Sequence, residues 1–282
     1  MGFIEFIDEG PFSQLRELDE LQLFIEELSV SEHAGSAAKH GAGRKNPTAL
    51  LVDGYIKDLF STGMILQRLD YDVYIVNSAE DALEIITAGP PSLVITEVSL
   101  PRMSGLELLV RIKQDQKLKG LPSIVHTASE DPRQESHCRA AGCSAFLRKP
   151  VEPDALFAAI QKVTEKTPRQ FIRIRTLLPV MVAGRPATAG NSSTEYVSEL
   201  SENGVFVHTM SPRPVNSIVP VTIILRSIPV KLRAVVMRTF LLSRGLVREP
   251  GMGMKFFDIS ATDRELIRNY IKGQIMKDIP TQ

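Results

Sequence analysis

A chain of 282 residues with 43% hydrophobic content is long enough for two domains, each with its own core. Its formal charge is zero, but residues 1–46 carry 9 acids against 4 bases, and residues 168–282 carry 16 bases against 8 acids. That asymmetry implies an anionic partner for the C-terminal part, or docking between the two parts.

The anion is not expected to be nucleic acid, because the chain has no helix-turn-helix pattern, zinc spacing or interleaving of aromatic and basic residues. No apolar run approaches the ~20 residues of a spanning helix, and Met1-Gly2-Phe3-Ile4-Glu5 lacks the basic start of a signal peptide. A cytoplasmic protein without membrane insertion is therefore expected. Cys138 and Cys143, with His137 beside one of them, offer too few ligands to close a metal site and read as small apolar residues of a reducing compartment.

In residues 1–30, Phe12, Leu15, Leu18, Leu21, Ile25 and Leu28 recur at helical spacing among Glu17, Asp19, Glu20, Glu26 and Glu27. This predicts an acidic amphipathic helix. Barely two heptads is too short for a self-sufficient coiled coil, so the helix is expected to pack on a neighbouring domain or to serve as a short dimerisation or docking element. Residues 31–47, with Gly35, Ser36, Gly41 and Gly43, read as a flexible linker.

From residue 48 to 166, short apolar runs alternate with helical periods. Residues 49–52, 73–76, 93–96, 123–126 and 145–147 read as strands, and residues 56–69, 79–87, 105–114, 133–141 and 153–163 as helices. Five βα units imply an α/β fold, a doubly wound parallel sheet of flavodoxin type covered on both faces. In such sheets functional groups collect at the carboxyl ends of the strands.

Those ends carry Leu51-Val52-Asp53-Gly54, Glu97-Val98-Ser99-Leu100-Pro101-Arg102-Met103-Ser104-Gly105, Thr127-Ala128 and Phe146-Leu147-Arg148-Lys149-Pro150. In order and spacing they resemble the landmarks of response-regulator receiver domains. The resemblance implies two acids after the first strand that hold Mg²⁺, and a phosphoacceptor aspartate after the third. It also implies a Thr or Ser after the fourth strand and a lysine after the fifth that read the phosphoryl group. This chain departs twice. Gly54 replaces the second acid, leaving Asp53 alone, and Glu97 replaces the phosphoacceptor. Losing a carboxylate weakens an octahedral Mg²⁺ site, and the longer Glu97 misplaces its oxygens for in-line attack. No Mg²⁺ and no ordinary phosphorylation are expected. Glu97 has two readings: a built-in phosphate mimic aimed at Thr127 and Lys149, or a relic ion pair with Lys149. In both, Phe146 at the aromatic switch position and the face of the fourth helix, fifth strand and fifth helix form the expected docking surface for an unidentified protein partner or a second copy.

Residues 167–282 change character. Segments 178–182, 195–200, 205–207, 218–225, 230–237 and 254–257 are six β-rich runs separated by Gly, Pro, Asn and Ser clusters, which predicts a six-stranded antiparallel barrel. A C-terminal helix is expected to plug or brace it, capped by Thr262-Asp263-Arg264-Glu265, with Leu266, Ile267, Tyr270, Ile271 and Ile275 on its apolar face.

Arg169 and Arg173, spaced R-x-x-x-R, precede this barrel, and Glu199-Leu200-Ser201-Glu202-Asn203-Gly204 lies within it. Planar guanidinium forks match both phosphate oxygens and the O6/N7 edge of guanine, which points to a guanine nucleotide bearing several phosphates. With Pro250-Gly251-Met252-Gly253-Met254-Lys255-Phe256, these motifs resemble those of PilZ domains, the bacterial receptors of cyclic di-GMP. The resemblance implies that Arg169 and Arg173, on a mobile segment before the first strand, clamp phosphates and guanine faces. Ser201 would bond at the pocket floor and Gly204 would supply a turn, with Arg175 as a further candidate or an exposed strand residue. Glu199 stands where the family has Asp or Asn. Its carboxylate can accept from guanine N–H groups, but its longer arm must fold back.

The expectation is a non-enzymatic cyclic di-GMP effector acting on motility, pili or surface polysaccharide, since no nucleophile triad, acid/base pair or phosphate loop is present. The alternative is a nucleotide-independent scaffold in which Gly54, Glu97 and Glu199 mark both sites as degenerate.

Overall fold

A computed structural model describes residues 46–183, 185–186, 195–241 and 249–279. The chain divides between Gln170 and Phe171 into two compact units, the second ending at Gln274 and the segment from Ile275 grouping with the first. The acidic helix expected over 1–30, and the linker expected over 31–47 apart from its last two residues, lie outside the described residues.

The first unit runs β1 (Thr48–Val52), α1 (Ile56–Arg68), β2 (Asp72–Val76), α2 (Ala79–Ala88), β3 (Leu93–Thr96), α3 (Gly105–Gln114), β4 (Ser123–Thr127), α4 (Gln134–Ala140), β5 (Ala145–Arg148) and α5 (Pro153–Thr164). Its strands are parallel in the order β2-β1-β3-β4-β5, the flavodoxin-type order. The inner strands β1, β3 and β4 are buried almost throughout, as expected where helices cover both faces. Helix starts follow the local chemistry. Ser78 Oγ accepts from the Asp81 N–H at 3.2 Å, Ser104 and Glu107 form a capping box, and Pro153 opens α5. Cys138 and Cys143 are free and buried beside Val98, Leu109 and Val125.

The second unit runs β6 (Arg173–Val182), β7 (Arg185–Pro186), β8 (Tyr196–Ser201), β9 (Gly204–His208), β10 (Ile218–Leu225), β11 (Ile228–Phe240), β12 (Gly251–Asp258) and α6 (Ala261–Ile275). The order β10-β11-β12-β9-β8-β6 closes by antiparallel pairing of β6 with β10, giving a six-stranded barrel with β7 as a short flap on β6. Alternate residues point inward, among them Val180, Val182, Val219, Val221, Ile223 and Leu232, so each strand contributes one face to the core. On α6, Ile267, Ile271 and Ile275 are buried, while Leu266 and Tyr270 are half-buried.

Three local expectations change. The first barrel strand begins at Arg173, not Leu178, so Arg173 is a strand residue rather than part of a preceding mobile segment, and Arg175 is an exposed strand residue, one of its two expected roles. Exposed Arg173 and Arg175 alternate with buried Ile174. The helix cap is Ser260 rather than Thr262: Ser260 Oγ accepts from the Asp263 N–H at 3.0 Å and donates to its carboxylate at 2.7 Å. Gly204 does not adopt a left-handed backbone. It is required because a Cβ there would stand 2.3 Å from the Met254 carbonyl oxygen, where β9 presses on β12.

Candidate functional site

Two groups of polar residues stand out, one in each unit. The first lies at the carboxyl ends of the parallel strands. Lys149, just after β5, places Nζ 2.5 Å from Asp53 Oδ2, 2.9 Å from Asp58 Oδ2 and 2.9 Å from Glu97 Oε2. The side chains of Lys149, Asp53 and Glu97 are 5%, 3% and 3% exposed, so these charges are satisfied by one another rather than by water. Glu97 follows β3. Its Oε1 accepts from the N–H groups of Val98 at 2.6 Å and Ser99 at 3.3 Å, and its Oε2 accepts from the Ala128 N–H at 3.2 Å.

Burial penalises every charge in this group, and the partners decide which way each member moves. For Asp53 burial prevails over the bonds from Lys149 and Tyr55, and its pKa is raised. For Glu97 burial pulls upward, but hydrogen bonds from Thr127 and Lys149 outweigh it and hold the carboxyl below its ordinary range. Burial disfavours the charge on Lys149, yet the three carboxylates raise its pKa above that of a free lysine. The cluster is therefore an ammonium held among carboxylates, with Glu97 as the firmly ionised one.

The expected residues Asp53, Glu97, Thr127 and Lys149 thus meet. Gly54 beside them is exposed, and a Cβ there would find only Pro101 Cδ, at 3.9 Å, so packing does not demand a glycine. Phe146 is half-buried against the Cys138 core, with the Arg148 guanidinium 5.6 Å from its ring centroid. Asp58, absent from the sequence reading, joins because the first turn of α1 returns over the end of β1. His126, on β4, is 4% exposed with neither ring nitrogen hydrogen-bonded among the described residues; burial lowers its pKa to about 4.

The second group lines a cleft of about 360 Å³ on the barrel. Of the expected residues, Arg173, Glu199, Ser201 and Gly204 line it. Arg173 pairs in register with Ser201, and its Nη1 donates to Glu199 Oε2 at 2.8 Å. Ser201 Oγ donates to the Gly204 carbonyl at 3.1 Å, closing the two-residue turn between β8 and β9. The turn is tied to α6, since Arg264 Nη1 donates to Asn203 Oδ1 at 2.6 Å and Arg268 Nη2 to Glu202 Oε2 at 2.9 Å. Arg175 lies opposite Glu199 in the ladder and outside the cleft lining. Arg169 belongs to the first unit, where its backbone N–H donates to Gln161 Oε1 on α5 at 3.0 Å.

Glu199 reaches the cleft through a bulge. Val197 faces the interior, and strict alternation would turn Glu199 inward as well. The β8–β9 register shifts between them, so Glu199 and Ser201 face out while Leu200 faces in. Arg238 and Lys255, also missed from the sequence, line the same cleft. Among the described residues, no group of His, Cys, Asp and Glu side chains is arranged to hold a metal ion, and no helix is long and apolar enough to cross a membrane.

With this geometry established, the similarities to known proteins fall on both units. Residues 49–161 match the family model of the response regulator receiver domain, and residues 167–273 match that of the PilZ domain. Among curated proteins, the chain is 33% identical over 131 residues to the two-component response regulator ORR11 of Oryza sativa subsp. indica, covering 46% of this chain and 89% of that protein. It is 31% identical over 121 residues to ORR3 of the same plant, covering 43% and 92%. Among solved structures it is similar to a response regulator receiver domain protein of Methanospirillum hungatei JF-1, at 28% identity over 43% of this chain and 95% of that one, with a TM-score of 0.40. It is also similar to the signal receiver domain of an HD domain-containing protein of Pseudomonas fluorescens Pf-5, at 29% identity over the same shares, with a TM-score of 0.40.

Proposed function

Because the chain belongs to the response regulator family and joins its receiver to a PilZ domain, we propose that it is a signalling protein that binds cyclic di-GMP on the barrel and meets a protein partner through the receiver. The observation that carries this reading is the barrel cleft. Arg173, Ser201 and Gly204, three residues of the PilZ pattern, line it together. The residues fit the ligand's chemistry: guanidinium forks suit phosphodiester oxygens and guanine edges, and Glu199 supplies an acceptor for guanine N–H groups. Arg169, which the PilZ match includes, is proposed to complete the clamp only in the bound state. The differential contact a population shift needs is that clamp.

The receiver is proposed not to accept a phosphoryl group. Glu97 stands in the phosphoacceptor's place, and its carboxylate is already bonded by Thr127, Ala128 and Lys149. Those bonds support the phosphate-mimic reading over a relic pair, because the groups that read a phosphoryl group are engaged by Glu97 itself. Domains of these two kinds regulate and bind rather than catalyse. Motility, pili and surface polysaccharide are the outputs the PilZ resemblance suggests, in a cytoplasmic protein.

A ligand that binds only the folded state raises the melting temperature as its concentration exceeds Kd. Cyclic di-GMP is expected to raise that of the intact chain and to leave Arg173→Ala unmoved. An equal shift in both proteins, or none in either up to ~100 μM, would favour the nucleotide-independent scaffold.

A further inference from the structure

We propose that Arg238 and Lys255 are further phosphate-binding cations of the barrel cleft, acting beside Arg173 and matching the two phosphodiester charges of a cyclic dinucleotide; this deepens, and rests on, the cyclic di-GMP reading.

The argument starts from strand parity. Val230, Leu232, Ala234 and Val236 on β11 all face the barrel interior, so an unbroken alternation would bury Arg238 as well. It does not, because the β11–β12 register shifts between Val236 and Arg238, with Val236 opposite Met254 and Arg238 opposite Gly253. Met237 is the extra residue, and both it and Arg238 emerge on the outside. Bulges of this kind re-aim side chains, and this one aims a guanidinium into the cleft.

The strand beside it makes room. A Cβ at Gly253 would stand 2.9 Å from Arg238 Nε and 3.0 Å from its Cγ, so the absence of a side chain there lets the arginine stem lie across β12. The guanidinium sits 5.6 Å from the Phe240 ring centroid, and Phe240 stands 6.0 Å from Phe206, which also lines the cleft. Lys255, two residues beyond Gly253, enters the same lining.

The charges differ in availability. Arg173 is already bonded to Glu199. None of the described carboxylates forms an ion pair with Arg238 or Lys255. With the Arg173–Glu199 pair neutral as a unit, the cleft presents two positive charges. A cyclic dinucleotide carries two phosphodiesters of one negative charge each.

The test is calorimetric titration of cyclic di-GMP into the intact chain and into Arg238→Gln and Lys255→Gln, with melting temperatures of the free proteins. Each variant is expected to bind roughly 10–100-fold more weakly, with an unchanged melting temperature. Affinity within twofold of the parent in both variants would overturn the assignment and leave the receptor reading standing. A lowered melting temperature in Arg238→Gln with unchanged affinity would make its contact with Phe240 structural and likewise overturn it. No binding by the unaltered chain would overturn the receptor reading, and this inference with it.

Discussion

Arg173 Nη1 lies 2.8 Å from Glu199 Oε2 across the β6–β8 ladder, so the arginine expected to grip a ligand already holds a carboxylate of its own chain. Both side chains are more than a third exposed, and such pairs contribute only about 0–1 kcal/mol. The contact is thus a weak competitor that a ligand can displace, and its effect belongs to binding rather than to fold stability. Shortening the acid separates its two roles. Glu199→Asp withdraws the carboxylate from Arg173 while keeping an acceptor for guanine, and it is expected to tighten cyclic di-GMP binding about fivefold. Weaker binding by this variant in a competition assay would show that the longer arm is needed to reach the base.

Incubating the intact chain with acetyl phosphate and Mg²⁺ is expected to leave no phosphoryl group on it, as read on a phosphate-affinity gel. The double variant Gly54→Asp, Glu97→Asp returns both missing carboxylates, and the space at Gly54 admits the first of them. It is expected to gain Mg²⁺-dependent modification. A phosphorylated band from the unaltered chain would contradict the account of Glu97.

Lys149 is the ammonium that joins Asp53, Asp58 and Glu97. Lys149→Met leaves buried carboxylates unpaired and is expected to cost on the order of 3–5 kcal/mol, measured as a fall in urea midpoint by circular dichroism. Glu97→Gln is expected to cost much less, since Lys149 keeps Asp53 and Asp58.

His126 sets a pH dependence whose sign follows from its burial. Its folded pKa of about 4 lies below the 6.5 of a free histidine, so the unfolded chain binds the extra proton first as pH falls. Stability attributable to this residue is complete above about pH 6.5 and declines as pH drops toward 4, by on the order of 3 kcal/mol. His126→Leu is expected to flatten that part of the urea-midpoint curve between pH 6.5 and 4. An unchanged slope would assign it to the carboxylates around Lys149.

Where a segment's own pattern decided its structure, the sequence was readable. The apolar runs of β1, β3 and β4 are local signals, and the strand ends placed Asp53, Glu97, Thr127 and Lys149 together. What was not readable depends on partners. Arg173 and Arg175 hid the start of β6, because outward arginines on a strand look like a basic loop until Ser201 and Glu199 are seen opposite them. The bulges that turn Glu199 and Arg238 outward exist only as offsets between two strands. Asp58 carries no motif of its own and joins Lys149 across 91 residues of sequence.

The most direct test of the central claim is isothermal titration of cyclic di-GMP into the intact protein, with Arg173→Ala as the comparison. The account predicts saturable micromolar or tighter binding that the substitution abolishes. Absence of heat up to ~100 μM, or equal binding by both proteins, would contradict it.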